Sequence, residues 1–348
     1  MKQVEIGQKL VGIGQPCYIV LEASATYANL DEAKKLTKIA SNLGANAIKF
    51  QNLFPGDAER ILGRRDLTVE FTSPTGKKHE TMFDAIKRRE MSIDEWIELS
   101  KFSDQLGIDF VATPYFPEAL EIIHEMKTSA IKINKGDINN VLFIEEIAKL
   151  NLPIILDGRE KFTDVEIAIE ICEKVLNDQI IIMHCPSGYP AESSGVHLSA
   201  IKSIQEKYDY PVGYADHSFG DLMNYTALGL GVNMIEKTIT LDKTREQSEH
   251  FMSLEPSEIE LFIKNVKEIE KAMGTPDVLN SSRVNDNLRR CFVSKRDIKK
   301  DEKITPEMLD FQRPGDAGIS CSEGFKIITK KTLIDIPKGA FFQWDMLS

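Results

Sequence analysis

The strongest constraint on the fold is a recurrence. Eight short apolar runs, mostly rich in β-branched residues, return at wide intervals: YIVLE (18–22), NAIKFQ (46–51), DFVATP (109–114), AIKIN (130–134), PIILD (153–157), IIIMHC (180–185), PVGYAD (211–216) and NMIEK (233–237). Several stretches between them read at period 3.6, with Leu36, Ile39, Ala40 and Leu43 in one, Trp96, Leu99, Phe102, Ser103 and Leu106 in another, and Val165, Ile169, Cys172 and Leu176 in a third. Each set lines one helix face. Nearly continuous apolar strands alternating with amphipathic helices predict a parallel sheet buried on both faces. Eight such units predict closure into a TIM (β/α)8 barrel, with an open doubly wound sheet as the structural alternative.

The eighth unit is completed by the helix within EPSEIELFIKNVKEIEKAM (255–273), which Gly274 and Pro276 stop. The polar, turn-rich segment 275–290 reads as a linker. From Cys291 to Ser348 short strands such as CFVSK and KKTLIDI lie between the turns KKDEK, RPGDAG and IPKG, so a small β-rich domain is expected over 291–348, after a barrel domain over 1–274. A length of 348 residues fits a barrel plus one small module.

With 54 acidic and 43 basic residues the formal net charge is −11, which excludes a general nucleic-acid or anionic-membrane binder but leaves room for a local cationic pocket. The cysteines (Cys17, Cys172, Cys185, Cys291, Cys321) are widely spaced and form no CxxC pair, as reduced thiols do. The amino terminus lacks the apolar run of a signal peptide, and no stretch reaches the roughly 20 apolar residues of a membrane span. A cytoplasmic location is expected.

In such a barrel the site collects at the C-terminal ends of the strands. Those ends carry Glu22; Lys49 and Gln51; Thr113; Lys132, Asn134 and Lys135; Asp157 and Arg159; His184 and Ser187; Asp216 and His217; and Glu236, Lys237 and Thr238. Lys49, Lys132, Lys135 and Arg159 would form a cation cluster suited to phosphate or carboxylate, unless they pair internally with Glu22, Asp137 and Asp157. His184 and His217 are candidates for acid/base or metal work, or else structural histidines, and the adjacent Asp216 favours His217. Glu249 and His250 follow the last strand on a mouth loop, and Glu22 offers an oxygen ligand. His79, His124 and His197 read as surface residues. The sequence holds neither a Gly-rich phosphate fingerprint after a strand nor a GxSxG elbow.

These strand ends resemble the sialic acid synthase family, which condenses phosphoenolpyruvate (PEP) with an aldehyde sugar of the N-acylhexosamine type to give a 2-keto-3-deoxy sugar acid and phosphate. GANAIKFQ (44–51), DFVATPYF (109–116), IKINKGDINN (131–140), MHCPSGYP (183–190), VGYADHSFG (212–220), IEKTITLD (235–242) and SLEP (253–256) fall in the family's order and approximate spacing. The tail, with SKRDIKKDEKIT, QRPGDAGIS and DIPKG, resembles the antifreeze-like, or SAF, domain.

The resemblance implies a catalytic set of Glu22, His217 and Lys132. It also implies a substrate set of Lys49, Gln51, Thr113, Lys135, Asp137, Arg159, Ser187, Tyr189, Glu249 and Arg313. A divalent metal, manganese or magnesium, would sit on His217. Arg313 would reach the sugar's acyl group in a partner subunit, which implies a homodimer whose C-terminal domain caps the partner barrel. The chain departs from the family pattern at EKTIT, where Thr238 replaces the second metal histidine, and in TYAN (26–29) after the first strand. Lys135, Asp157 and Ala215 stand where relatives place small phosphate-binding hydroxyl residues, and DGRE replaces STGM. The alternatives are a Schiff-base lyase or aldolase using Lys49, Lys132 or Lys135, and a non-catalytic sugar-binding homologue.

Overall fold

The structure is a computed structural model that describes residues 2–158, 161–274 and 286–348. The chain forms two compact units, Met1–Gly274 and Thr275–Ser348.

The apolar runs of the first unit become eight parallel strands: β1 (Tyr18–Glu22), β2 (Ala47–Asn52), β3 (Asp109–Pro114), β4 (Ala130–Ile133), β5 (Ile154–Asp157), β6 (Ile180–His184), β7 (Val212–Asp216) and β8 (Met234–Thr238). Each pairs with the next, and β8 pairs with β1 from Met234 opposite Tyr18 to Thr238 opposite Glu22. The sheet is therefore a closed barrel, and the open-sheet alternative is excluded.

Two apolar layers hold it. Tyr18, Val20, Ala47, Val111, Ala130, Ile155, Ile181, Met183, Ala215 and Met234 fill the interior. Gly213 makes room there, because a Cβ at that position would lie 2.2 Å from the Met183 sulfur. The bottom is plugged by an amino-terminal hairpin, Val4–Ile6 against Lys9–Val11, whose Val4, Ile6 and Val11 join the interior cluster. The outer layer packs the opposite strand faces against the helices. Helix Leu30–Leu43 starts where Asn29 accepts the backbone N–H of Glu32 and ends at left-handed Gly44, burying Ala33, Leu36, Thr37 and Ala40. Helix Ile93–Gln105 begins with a Ser92/Glu95 capping box and buries Trp96 and Leu99. One expected helix position differs: helix Phe162–Lys174 ends before Leu176, which has φ of 65° and is 88% exposed.

A second departure matters more for the site. Between β2 and helix Ile93–Gln105 the chain inserts helix Asp57–Ile61, an antiparallel hairpin (Thr68–Ser73 with Gly76–Thr81) and helix Met82–Lys87. The hairpin is tied to the loop after β8: Lys78 pairs with Glu246 at 2.9 Å, Thr75 donates to Glu246 at 2.6 Å, and Glu80 accepts the Ser248 N–H at 3.0 Å. One wall of the barrel mouth is thereby built from a segment outside the β/α alternation.

The second unit pairs Cys291–Ser294 with Leu309–Gln312 around Phe292, Ile298, Ile304, Ile319, Ile327, Ile336 and Phe342. The expected strand KKTLIDI is instead joined by isolated bridges, Lys303 to Lys331, Thr332 to Leu347 and Ile298 to Ile336. The linker expected over 275–290 lies mostly outside the described residues, and its described part includes a 3-10 turn at Asp286–Leu288.

Candidate active site

Side chains of a strand alternate between faces, so counting in twos from the packed interior identifies which strand-end groups enter the mouth. Val20 leads to Glu22 and Ser24; Ala47 to Lys49 and Gln51; Val111 to Thr113 and Tyr115; Ala130 to Lys132 and Asn134; Ile155 to Asp157; Met183 and Cys185 to Ser187; Ala215 to His217. Each of these mouth groups lines one cavity of about 460 Å3. Lys135, Tyr189 and Glu249 complete the expected residues found there, and the insertion contributes Arg89.

The opposite parity places the remaining charges outside the barrel interior. Asp216 is enclosed by Lys237 Nζ at 2.6 Å, the Asn224 side chain at 2.6 Å, Ser218 Oγ at 2.7 Å and N at 2.9 Å, and the Tyr214 hydroxyl at 3.0 Å. Burial opposes its ionisation, but Lys237 and Ser218 more than compensate and hold its pKa below the usual carboxylate range. His184 is buried with Nε2 2.7 Å from the Val196 carbonyl, and burial lowers its pKa. His250 is buried beside Thr240 at 2.7 Å, its pKa pushed down to about 4 by burial and by the Arg245 and Arg88 charges. Neither histidine lines the cavity. Asp216 flanks His217 in sequence, yet it belongs to this structural network.

Beneath the cavity lies a buried chain of four charges. Lys49 Nζ is 2.6 Å from Glu22 Oε1 and 3.0 Å from Glu236 Oε1, and Lys132 Nζ is 2.6 Å from the same Glu236 oxygen. Glu236, from β8, thus gathers two ammonium groups, while its Oε2 has no hydrogen-bond partner among the described residues. Burial would raise the Glu236 pKa, but Lys132 and Lys49 hold it well below the usual range. Burial would likewise lower Lys132, yet Glu236 keeps it well above the usual lysine value. Glu22 is pushed up to about 7 by burial, reinforced by Glu236 and Glu249 and only partly relieved by Lys49.

Arg89, 6% exposed, donates to the carbonyls of Ala85 (2.7 Å) and Ser24 (2.9 Å) and to Gln51 Oε1 (2.7 Å), while Gln51 donates to Ser24 Oγ at 3.0 Å. It fixes the Gln51 amide. Sequence reading missed Arg89 because it lies in the insertion, although the alternation in TVEFTSPTGKKHET could have revealed the hairpin. Glu236 was visible as a strand-end acid, but its role as bridge between two lysines needs the closed barrel. Asp137 does not line the cavity. Arg159 lies outside the described residues. Arg313 belongs to the second unit.

Among the described residues no three His, Cys, Asp or Glu side chains come together to hold a metal ion. Glu22 spends Oε1 on Lys49, and Thr238 supplies a hydroxyl on the β8 face where the expected second ligand would stand. These residues do not fit a divalent-metal centre of the expected kind.

Comparison with known proteins follows the same lines. Residues 36–277 match the NeuB family and residues 289–348 match the SAF domain. The chain belongs to the NeuB family. Across its whole length this NeuB-family chain is 32% identical to an uncharacterized protein of Methanocaldococcus jannaschii, 99% of which is covered. It is 28% identical to an N,N'-diacetyllegionaminic acid synthase of Legionella pneumophila, over 97% of each chain. A crystal structure of N-acetylneuraminic acid (sialic acid) synthetase from Leptospira borgpetersenii, in complex with citrate, superposes with a TM-score of 0.70 at 28% identity, covering 80% of this chain and 92% of that one. No helix among the described residues is long and apolar enough to cross a membrane.

Proposed function

We infer that this NeuB-family chain is a synthase that condenses PEP with an aldehyde sugar of the N-acylhexosamine type, forming a sialic-acid-like 2-keto-3-deoxy sugar acid and phosphate. The observation that carries this reading is the pair Lys49 and Lys132, which line the cavity while sharing one oxygen of Glu236. Two ammonium groups at one point suit a small polyanion. Glu236 balances one of these charges, and Glu22, whose pKa is raised to about 7, balances the other only when ionised, so a bound anion finds fixed, preorganised ammonium groups.

In the condensation, C3 of PEP forms the new bond to the aldehyde carbon, the aldehyde oxygen takes a proton, water adds at C2, and the C2–O bond to phosphate breaks. Glu22, with its pKa raised to about 7, can carry that proton near neutral pH. His217 and Tyr189, whose rings lie 4.6 Å apart, frame the same cavity, and Thr113, Gln51, Lys135, Ser187 and Glu249 supply further hydrogen-bonding groups for the two substrates. For Lys132 the Schiff-base role is disfavoured, since its 2.6 Å pair with Glu236 raises its pKa and favours the protonated nitrogen.

The chain is further read as a cytoplasmic homodimer, with Arg313 of each C-terminal unit serving the partner's cavity. Incubation with PEP and a panel of N-acylated hexosamines, with manganese and with chelator, tests the main reading. Phosphate and 2-keto acid should appear together. Absence of phosphate release with every sugar of the panel would sink it, and borohydride trapping with pyruvate would instead mark the lyase.

A further inference from the structure

The 57–89 insertion lines the cavity with Ile61, Val69, Met82, Ala85 and Ile86, and Arg89 is the one charged side chain it adds to that lining. The Arg89 guanidinium is buried and enters no ion pair among the described residues. Its Nε and Nη1 are spent on the Ala85 and Ser24 carbonyls and on Gln51 Oε1. A buried cation without a carboxylate is costly unless hydrogen bonds hold it, and here those bonds also fix its neighbours. With Oε1 2.7 Å from Arg89 Nη1 the Gln51 amide has one orientation, because a flipped amide would set its NH2 against an arginine N–H. Nε2 then lies on the side of Ser24 and gives one of its two hydrogens to Ser24 Oγ at 3.0 Å. The Ser24 hydroxyl, used as an acceptor, keeps its own proton, for which no acceptor stands among the described residues. Thr113 pairs in register with Gln51, is buried, and has a hydroxyl without a hydrogen-bond partner among the described residues. Ser24, Gln51 and Thr113 all line the cavity. This corner therefore offers a ligand O–H and N–H groups beside a buried positive charge.

Two donors 3.0 Å apart, Gln51 Nε2 and Ser24 Oγ, suit the paired oxygens of a carboxylate or phosphoryl group. We propose that Arg89 is a positioning residue: by holding Gln51 Oε1 it turns the free Gln51 N–H and the Ser24 O–H to the cavity, and so makes this corner an oxyanion subsite additional to the Lys49 and Lys132 pair. The synthase reading enters only in the choice of PEP, which carries both kinds of oxyanion, as the main probe.

Calorimetry on the full-length protein gives Kd for PEP, for pyruvate and for inorganic phosphate, and urea unfolding gives stability. Arg89→Met should weaken PEP binding by about 10-fold or more, the usual result of losing hydrogen bonds to a charged group. Pyruvate shares that loss if the corner takes the carboxylate, and phosphate shares it if the corner takes the phosphoryl group. Gln51→Met should lose as much, and the double variant no more than the larger single loss, because Arg89 acts through Gln51. Gln51→Glu keeps the shape and covers the case in which Arg89→Met does not fold. It gives Arg89 a carboxylate, so the urea midpoint should rise while PEP affinity falls. Unchanged PEP affinity in Arg89→Met, a loss shared by neither pyruvate nor phosphate, or additive losses in the double variant overturns the proposal. So does a Gln51→Glu protein that is less stable than its parent or binds PEP equally well. The stated PEP losses without phosphate release from any N-acylated hexosamine remove the synthase reading and leave the subsite standing. Failure to bind any of the three anions overturns the subsite itself.

Discussion

Lys132 and Lys237 are both buried, and each lies 2.6 Å from a carboxylate at the end of a barrel strand. Lys132 lines the cavity and shares Glu236 with Lys49, whereas Lys237 donates to Asp216 and to the Ser218 carbonyl at 2.7 Å and does not line that cavity. The residues differ by parity. Lys132 continues the inward row begun by Ala130, while Lys237 stands one residue beyond the inward-facing Glu236 and so faces the other way. Buried ion pairs cost solvation wherever they occur. On the outer face that cost is offset by closing every oxygen of Asp216, and on the inner face it is left partly open for a ligand.

The largest expected effect follows from breaking the closed pair. Lys237→Met strands Asp216 in a site with no access to water and should cost about 3–5 kcal/mol, read from urea unfolding. Specific activity of the protein that remains folded should match the parent. A large loss of activity at full stability would place Lys237 in the catalytic machinery and break the comparison. Lys132→Met should invert the pattern. Glu236 keeps Lys49 as partner, so the stability loss is smaller than for Lys237→Met, while kcat/KM falls about 10²–10³-fold, the usual consequence of removing one electrostatic stabiliser.

Glu22 sharpens the inner side through pH. Its folded-state pKa, about 7, is raised from 4.5, so the folded protein binds this proton more tightly than the unfolded chain does. The sign follows: this group favours the folded state fully below about pH 4.5, and its contribution is lost as pH rises towards 7. Glu22→Gln stays neutral and should flatten the stability profile across that window by roughly 3 kcal/mol, with the break in kcat near pH 7 also lost. A profile identical to the parent in both readouts would assign the proton to another group.

Much of this is legible in the amino-acid sequence. Continuous apolar runs such as IIIMHC and PIILD can be satisfied only by a sheet covered on both faces, and eight of them leave few topologies. The mouth residues Glu22, Lys49, Lys132 and His217 were visible as polar groups ending those runs. What escaped was orientation and insertion. Neighbouring charges such as Asp216 and His217 look equivalent in a list, although the two-residue pleat sends them to opposite faces, and counting from Ala215 would have separated them. The wall built by Val69 and Met82 escaped for another reason: a hairpin inserted between two β/α units follows no barrel periodicity, so its place over the mouth depends on contacts with Glu246 and Ser248, some 170 residues away in sequence.

The smallest effect asks whether the inner face is open by construction. Thr238 is buried, follows Glu236 on the same face of β8, and pairs in register with Glu22, yet its hydroxyl has no hydrogen-bond partner among the described residues. The Thr113 hydroxyl and Glu236 Oε2 are in the same condition. An unsatisfied buried hydroxyl carries a desolvation penalty of about 1–3 kcal/mol, and replacing it by a methyl of similar size removes that penalty. Thr238→Val should therefore stabilise the ligand-free protein, by about 1 kcal/mol, seen as a higher urea midpoint with unchanged slope. If the hydroxyl serves a ligand, kcat/KM falls in the same variant, and the opposed signs measure what the inner face gives up in stability to remain available. A Thr238→Val protein that is less stable than its parent would mean that the hydroxyl already has a protein partner, and the inner face would then be as closed as the ring of donors around Asp216.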